Sequence, residues 1–192
     1  MAAGLGALGF GLGQRWMSQG GEPPPPAAAA ASSSPDSPPR GFVEFRDEQA
    51  GFALAYPKDW ARVQLDDPQV ALLAVRSPQD YVQVRVLELD APVGPQLLPD
   101  AKQLTGYIVQ ANQSVKLLAE PKRIELAGLP GYFYFYSFQD PASGQTGAHS
   151  HFFLFRGPTM ISIVFQALPA ERFPSLAPTF DQITGSFRLL PK

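Results

Sequence analysis

Reactive side chains are scarce in this 192-residue chain, which holds two histidines and no cysteine. The histidines are His149 and His151, and on a β-strand residues i and i+2 share a face. Their imidazoles could chelate a divalent metal, with Asp140, across the preceding turn, as third ligand. Two-residue spacing is a weak metal signal, so the plainer reading is a polar sheet face carrying two ordinary histidines. A Ser-His-Asp hydrolase would need a nucleophile on a strained turn, a base and an orienting acid. Ser143 and Ser150 lie near the histidines, but no Gly-x-Ser-x-Gly is present, and residues 143–147 (SGQTG) read as a hairpin turn. A secreted hydrolase using His149 or His151 is the enzymatic alternative; the expectation is no enzyme. The neighbours Asp66-Asp67 and Asp47-Glu48 would point to opposite faces of a strand and read as turn and cap residues. The glycines at 4–13 precede no strand–helix unit that could cradle a phosphate.

Tyr132, Tyr134, Tyr136 and Phe138 form an aromatic stripe of period two. It reads either as a partner-binding face with hydroxyls at its rim or as sheet core beneath a helix. Phe133 and Phe135 make the opposite face apolar as well, which favours core. Asn112-Gln113-Ser114 matches a glycosylation sequon, a matter only for a eukaryotic secretory setting.

The absence of cysteine excludes disulfides, zinc–thiolate sites, iron–sulfur clusters, thiol catalysis and a lipidated cysteine. A formal net charge of −2 argues against an electrostatic nucleic-acid binder. The 45% hydrophobic content and 14 phenylalanines support a real core, while 21 prolines and 17 glycines demand loop or spacer.

Composition divides the chain near residue 40. Residues 1–19 open with MAAGLGALGFGLG and continue through Arg15-Trp16. The apolar run is shorter than the about 20 residues a bilayer span needs, and it lacks the positive start of a secretory signal. With Arg and Trp at its end it reads as the back half of a hydrophobic membrane anchor, the alternative being a Gly/Ala-rich leader. Residues 20–40 (GGEPPPPAAAAASSSPDSPPR) form a disordered Pro/Ala/Ser spacer with an extended polyproline stretch. Residues 41–192 carry the folded domain.

Within it, residues 42–45 and 51–56 are short apolar runs around a polar turn, with Pro57 ending the second. Strands follow at 70–75 and 81–89, where Val82, Val84 and Val86 alternate with Gln83 and Arg85. Ala101, Leu104, Ile108 and Ala111 predict a helix over 100–112, with Asp100 as N-cap and Gln103 three residues on. Strands return at 124–126, 132–138, 149–155 and 160–165. Phe173, Leu176, Phe180 and Ile183 mark a second helix, in which Pro174 and Pro178 fit only the first turn. A strand at 186–190 closes the chain. Short turns force antiparallel pairing, so the class is α+β with helices on an antiparallel sheet.

Several local sequences resemble the PsbP-like family, which includes an extrinsic lumenal subunit of photosystem II and many bacterial extracytoplasmic domains. They are Gly51-Phe52-x-x-x-Tyr56-Pro57-x-x-Trp60, Gly131-Tyr132-Phe133-Tyr134, His149 on the following strand, and Ser186-Phe187-Arg188. The resemblance spans 42–190 and implies an α/β/α sandwich around a central antiparallel sheet, a place outside the cytoplasm and no enzymatic activity. Residues 157–166 and 173–187 look more like the generic bacterial members. The expected protein is thus a membrane-tethered accessory domain that recognises a membrane-associated protein partner and needs no cofactor, a divalent metal at His149, His151 and Asp140 being the exception. A photosystem II lumenal accessory role is the second expectation.

Overall fold

The computed structural model describes residues 38–112 and 114–191. The expected anchor at 1–19 and all but the last three residues of the spacer therefore lie outside the described residues.

Alternating apolar residues and short turns build two antiparallel sheets. β1 (Phe42–Asp47) and β2 (Phe52–Pro57) pair from Phe42↔Pro57 to Asp47↔Phe52, so Pro57 is the last strand residue rather than a residue beyond it. With β11 (Arg188–Leu189) they form a three-stranded sheet in the order β1-β2-β11. The larger, eight-stranded sheet is built from β3 (Ala61–Arg62), β4 (Val70–Ser77), β5 (Asp80–Glu88), β6 (Lys116–Leu117), β7 (Lys122–Leu126), β8 (Leu129–Gln139), β9 (Thr146–Arg156) and β10 (Thr159–Ala167). Its order is β3-β4-β5-β10-β9-β8-β6, with β7 also paired to β8. β7 and β8 meet through Ala127-Gly128, both at positive φ (50° and 79°), as a two-residue primed turn requires.

Two helices cover this sheet from opposite sides. α1 (Leu98–Gln110) lies over Tyr132, Tyr134, Tyr136, Phe153 and Met160. α2 (Phe173–Gly185), preceded by a 3₁₀ turn at Ala170–Arg172, packs with β1 and β2 against Leu72, Val84, Leu154, Ile163 and Phe165. Helices and strands therefore sandwich one central antiparallel sheet. Among the described residues no helix is long and apolar enough to cross a membrane.

The helices differ from expectation in detail. α1 starts at Leu98 rather than Asp100: Pro99 occupies its opening positions, no side chain caps it, and Asp100 lies in the first turn. Its buried stripe is Leu98, Ala101, Thr105 and Val109, while Leu104 is exposed. In α2 the stripe Phe173, Leu176, Phe180 and Ile183 is buried as expected, but Pro178 sits inside the helix, beyond the first turn. There it forgoes the bond that its missing N–H would make and crowds the carbonyl four residues earlier.

Candidate functional site

Strand register brings the chemically capable residues together. Tyr134 pairs with His151 and Tyr136 with His149 across β8 and β9, and directly opposed residues share a face. Both histidines are buried, at 5% and 6% exposure, on the face that α1 covers. Phe138 stacks on His149 at 4.2 Å and Phe153 on His151 at 3.9 Å between ring centroids.

The three tyrosines are anchors rather than a surface. Tyr132 Oη donates to the Leu98 carbonyl at 2.8 Å. Tyr134 Oη bonds Thr105 Oγ1 at 2.8 Å and donates to the Lys102 carbonyl at 3.1 Å. Tyr136 Oη lies 3.0 Å from His149 Nδ1 and 3.3 Å from His151 Nδ1, and accepts from Asn112 Nδ2 at 3.3 Å. The expectation that Tyr132, Tyr134 and Tyr136 form a partner-binding face is corrected. α1 needs an apolar bed, and the phenols meet its backbone and side chains instead of solvent.

One assignment of protons satisfies the cluster. Gln166 Oε1 accepts from Tyr81 Oη at 2.8 Å and, being an acceptor only, takes its bond from His149 Nε2–H at 2.8 Å. His149 Nδ1 is then bare and accepts the Tyr136 hydroxyl proton. Tyr136 has no second proton, so His151 Nδ1–H donates to it. His151 Nε2 in turn accepts from the Ser162 hydroxyl at 2.6 Å. Among the described residues no buried side-chain nitrogen or oxygen lacks a partner.

Burial keeps this layer uncharged. Desolvation lowers His149 to about 4, the Gln166 bond opposing it only in part. Desolvation, then the neighbouring His149, holds His151 well below the usual imidazole range. Burial raises Tyr81 to about 12, with the Asp140 charge adding to it, and also raises Tyr136. Neutral imidazoles and protonated phenols are therefore the stable forms at pH 7. A general base must reach a substrate proton, and here all four ring nitrogens already have protein partners.

The other candidate residues stand apart. Asp140 binds its own turn, accepting from Ser143 N–H at 2.8 Å and Ser143 Oγ at 2.5 Å, and these bonds lower its pKa. His149 and His151 are brought together, but among the described residues no three His, Cys, Asp or Glu side chains gather as a metal-binding group. Ser143 is thus spent on Asp140, and Ser150 lies on β9 between the histidines, so it points to the opposite face. Asp47 and Asp67 do act as turn residues, accepting from Ala50 N–H and Gln69 N–H at 2.9 Å each. Sequence reasoning missed Tyr81, Asn112, Ser162 and Gln166. A signal existed in β10: Ser162 and Gln166 are polar residues four apart on one face of an otherwise apolar strand.

Residues 40–189 match the family model described as PsbP. No curated protein sequence matches the chain. Its structure is similar to the solution structure of cyanobacterial PsbP (CyanoP) from Synechocystis sp. PCC 6803, with a TM-score of 0.58 at 14% identity over 78% of this chain and 92% of that one. LpqN, described as involved in cell envelope biogenesis of Mycobacterium tuberculosis, gives 0.54 at 12% identity over 78% and 92%. A Bacteroides thetaiotaomicron protein gives 0.55 at 11% identity over 79% and 50%. At such identities the likeness is one of fold.

Proposed function

The chain belongs to the PsbP family, and from that premise we propose that it is a non-catalytic extracytoplasmic accessory protein, tethered to a membrane by residues 1–19 and acting on a membrane-associated protein partner. The observation that carries the non-catalytic part is the closed Tyr136–His149–His151 layer, in which packing consumes the side chains best suited to catalysis. Support for the location comes from the family and from the envelope role printed for LpqN. Support for the tether is the apolar run at 1–13 followed by a Pro-rich spacer. The likeness to LpqN is nearly as close as that to CyanoP, so the general accessory role is preferred to the photosystem II lumenal one.

Photo-crosslinking of the full chain in its native membranes tests the reading. The expected product is a discrete adduct with one membrane protein, formed under protease-accessible conditions on the outer side. Recovery of no membrane protein, or protection of the chain inside intact cells, overturns it.

A further inference from the structure

The Tyr136 hydroxyl has three partners and one proton, so the protons of the buried layer can be counted. Two amides fix the count. Gln166 Nε2 donates to the Gln79 carbonyl at 3.3 Å, which turns its Oε1 to His149 Nε2. Asn112, just beyond α1, donates from Nδ2 to the Val109 carbonyl at 2.9 Å and to Tyr136 Oη at 3.3 Å. At neutral pH the protons therefore sit on His149 Nε2, Tyr136 Oη, His151 Nδ1 and Ser162 Oγ, each facing an acceptor.

One added proton can be absorbed without setting donor against donor. Tyr136 passes its proton to His149 Nδ1 and takes the one on His151 Nδ1, while the incoming proton ends on His151 Nε2. His149 is then an imidazolium donating to Gln166 Oε1 and Tyr136 Oη. Tyr136 donates to the bare His151 Nδ1, and His151 Nε2–H donates to Ser162 Oγ, which turns from donor to acceptor. A second proton finds no place. Tyr136 Oη has two lone pairs, now filled by His149 Nδ1–H and Asn112 Nδ2–H, and a charged His151 would aim a third donor at it. Desolvation and then a charged His149 both act against that proton on His151.

Charge around the layer places the cation on His149 rather than His151. Asp140 stands close enough to Tyr81 to add to the rise that burial gives that phenol, and Tyr81 shares Gln166 Oε1 with His149. Arg85 lies opposite Ser162, the partner of His151, and pairs with Asp67 at 3.1 Å. A carboxylate thus stands at the His149 end and a guanidinium at the His151 end. The remaining titratable neighbours do not intrude. Tyr132 and Tyr134 are bonded to α1, and Asp80 pairs with Arg172 on the opposite face. Asp100, Lys102 and Tyr107 of α1 and Arg123 of β7 are exposed.

We propose that this layer is a one-proton acid switch: His149 charges, Tyr136 relays the change, and His151 inverts its tautomer without charging. The two histidines then titrate as a coupled pair. The switch lies under α1 and touches its end through Asn112, so full protonation requires that contact to break. The inference is independent of the accessory role.

The test is long-range ¹H–¹⁵N NMR of the full chain carrying ¹⁵N-histidine, titrated from neutral pH to about pH 3. His149→Gln and His151→Gln assign the ring nitrogens. At neutral pH the bare nitrogens are expected at His149 Nδ1 and His151 Nε2. As acid charges His149, the bare signal of His151 moves to Nδ1 with the same midpoint. Tyr136→Phe removes the relay, so His149 charges with no change in the His151 tautomer. If that variant does not fold, the coincidence of the two midpoints in the unaltered chain tests the same link. An unchanged His151 tautomer in the unaltered chain overturns the proposal, as does charging of His151 in the same step. Unfolding before His149 charges overturns it too, because the layer then fails to hold the proton.

Discussion

Tyr136 is the residue on which the polar layer turns, because one hydroxyl serves two imidazoles and an amide. Tyr136→Phe leaves a bare acceptor on His149 and an unmet N–H on His151, a loss of about 2–4 kcal/mol. Tyr132→Phe removes a single bond to the Leu98 carbonyl and costs about 1 kcal/mol. Urea denaturation of both variants checks the order, and a larger loss for Tyr132→Phe would refute the shared-hydroxyl geometry. The same layer sets an acid limit. His149 titrates at about 4 in the fold against 6.5 as a free side chain. Between those values the unfolded chain binds more protons, so the contribution is whole above pH 6.5 and is lost as pH falls toward 4. For His149 it amounts to about 3 kcal/mol at 1.36 kcal/mol per pKa unit. The urea midpoint is therefore expected to drop through this window, and less steeply in His149→Gln. An identical pH profile for that variant would remove His149 from the account. Gly131, the first residue of the Gly-Tyr-Phe-Tyr motif, has a different duty. A Cβ there would lie 1.9 Å from the Phe153 carbonyl, a backbone atom that cannot yield without breaking the β8–β9 pairing. Gly131→Ala is expected to cost more than about 4 kcal/mol, read as loss of the cooperative melting transition.

At the level of elements, α1 shows where pattern and packing part. Both Leu98 and Leu104 are leucines on one helix, but exposure is 2% for the first and 38% for the second. Leu98→Ala should cost about 2–5 kcal/mol and Leu104→Ala no more than about 0.5, measured as shifts in denaturation midpoint. Similar losses at the two sites would mean that the helix is seated on the stripe its sequence first indicates, Ala101-Leu104-Ile108-Ala111. That stripe misleads because α1 is apolar on two flanks, and Thr105, polar by type, is drawn inward by its bond to Tyr134. The strands were more legible, since alternation in β5 and continuous apolarity in β8 and β10 follow directly from having one or two covered faces. The second helix was legible for the same reason: its stripe meets a single core. The candidate site was half legible. His149, His151 and the tyrosines announce themselves by type and spacing. Their partners Gln166, Ser162 and Tyr81 come from strands whose register no local pattern specifies. Asp140 shows the converse, a residue near in sequence whose own turn claims it.

Across the whole molecule, the two hydrophobic clusters sit back to back on the same strands. Phe153 and Met160 face α1 while Leu154 and Ile161 face α2, so neither cluster can melt without disturbing β9 and β10. Further ties cross the sequence: Asp80, fully buried, pairs with Arg172, and Arg188 reaches Glu44 at 2.6 Å. Among the described residues, the members of both clusters lie from Phe42 onward. If the proposed tether plays no part in folding, a chain beginning at Pro38 should unfold in one transition at the midpoint of the full chain. Trp60, which packs edge-on against Phe180 at 6.3 Å, reports the α2 side by its fluorescence, and near-UV dichroism adds the α1 side through Tyr132, Tyr134 and Tyr136. The two signals should coincide, because a shared sheet couples the faces. The same truncated chain should move from the membrane pellet to the soluble fraction when cells are lysed, since the apolar run at 1–13 is gone. A lowered midpoint would show that residues before Pro38 contribute to the fold. A truncated chain that stays in the pellet would instead place the membrane contact on the folded head, where the exposed Tyr107, Leu104, Leu117 and Leu118 would be the first residues to replace with polar ones.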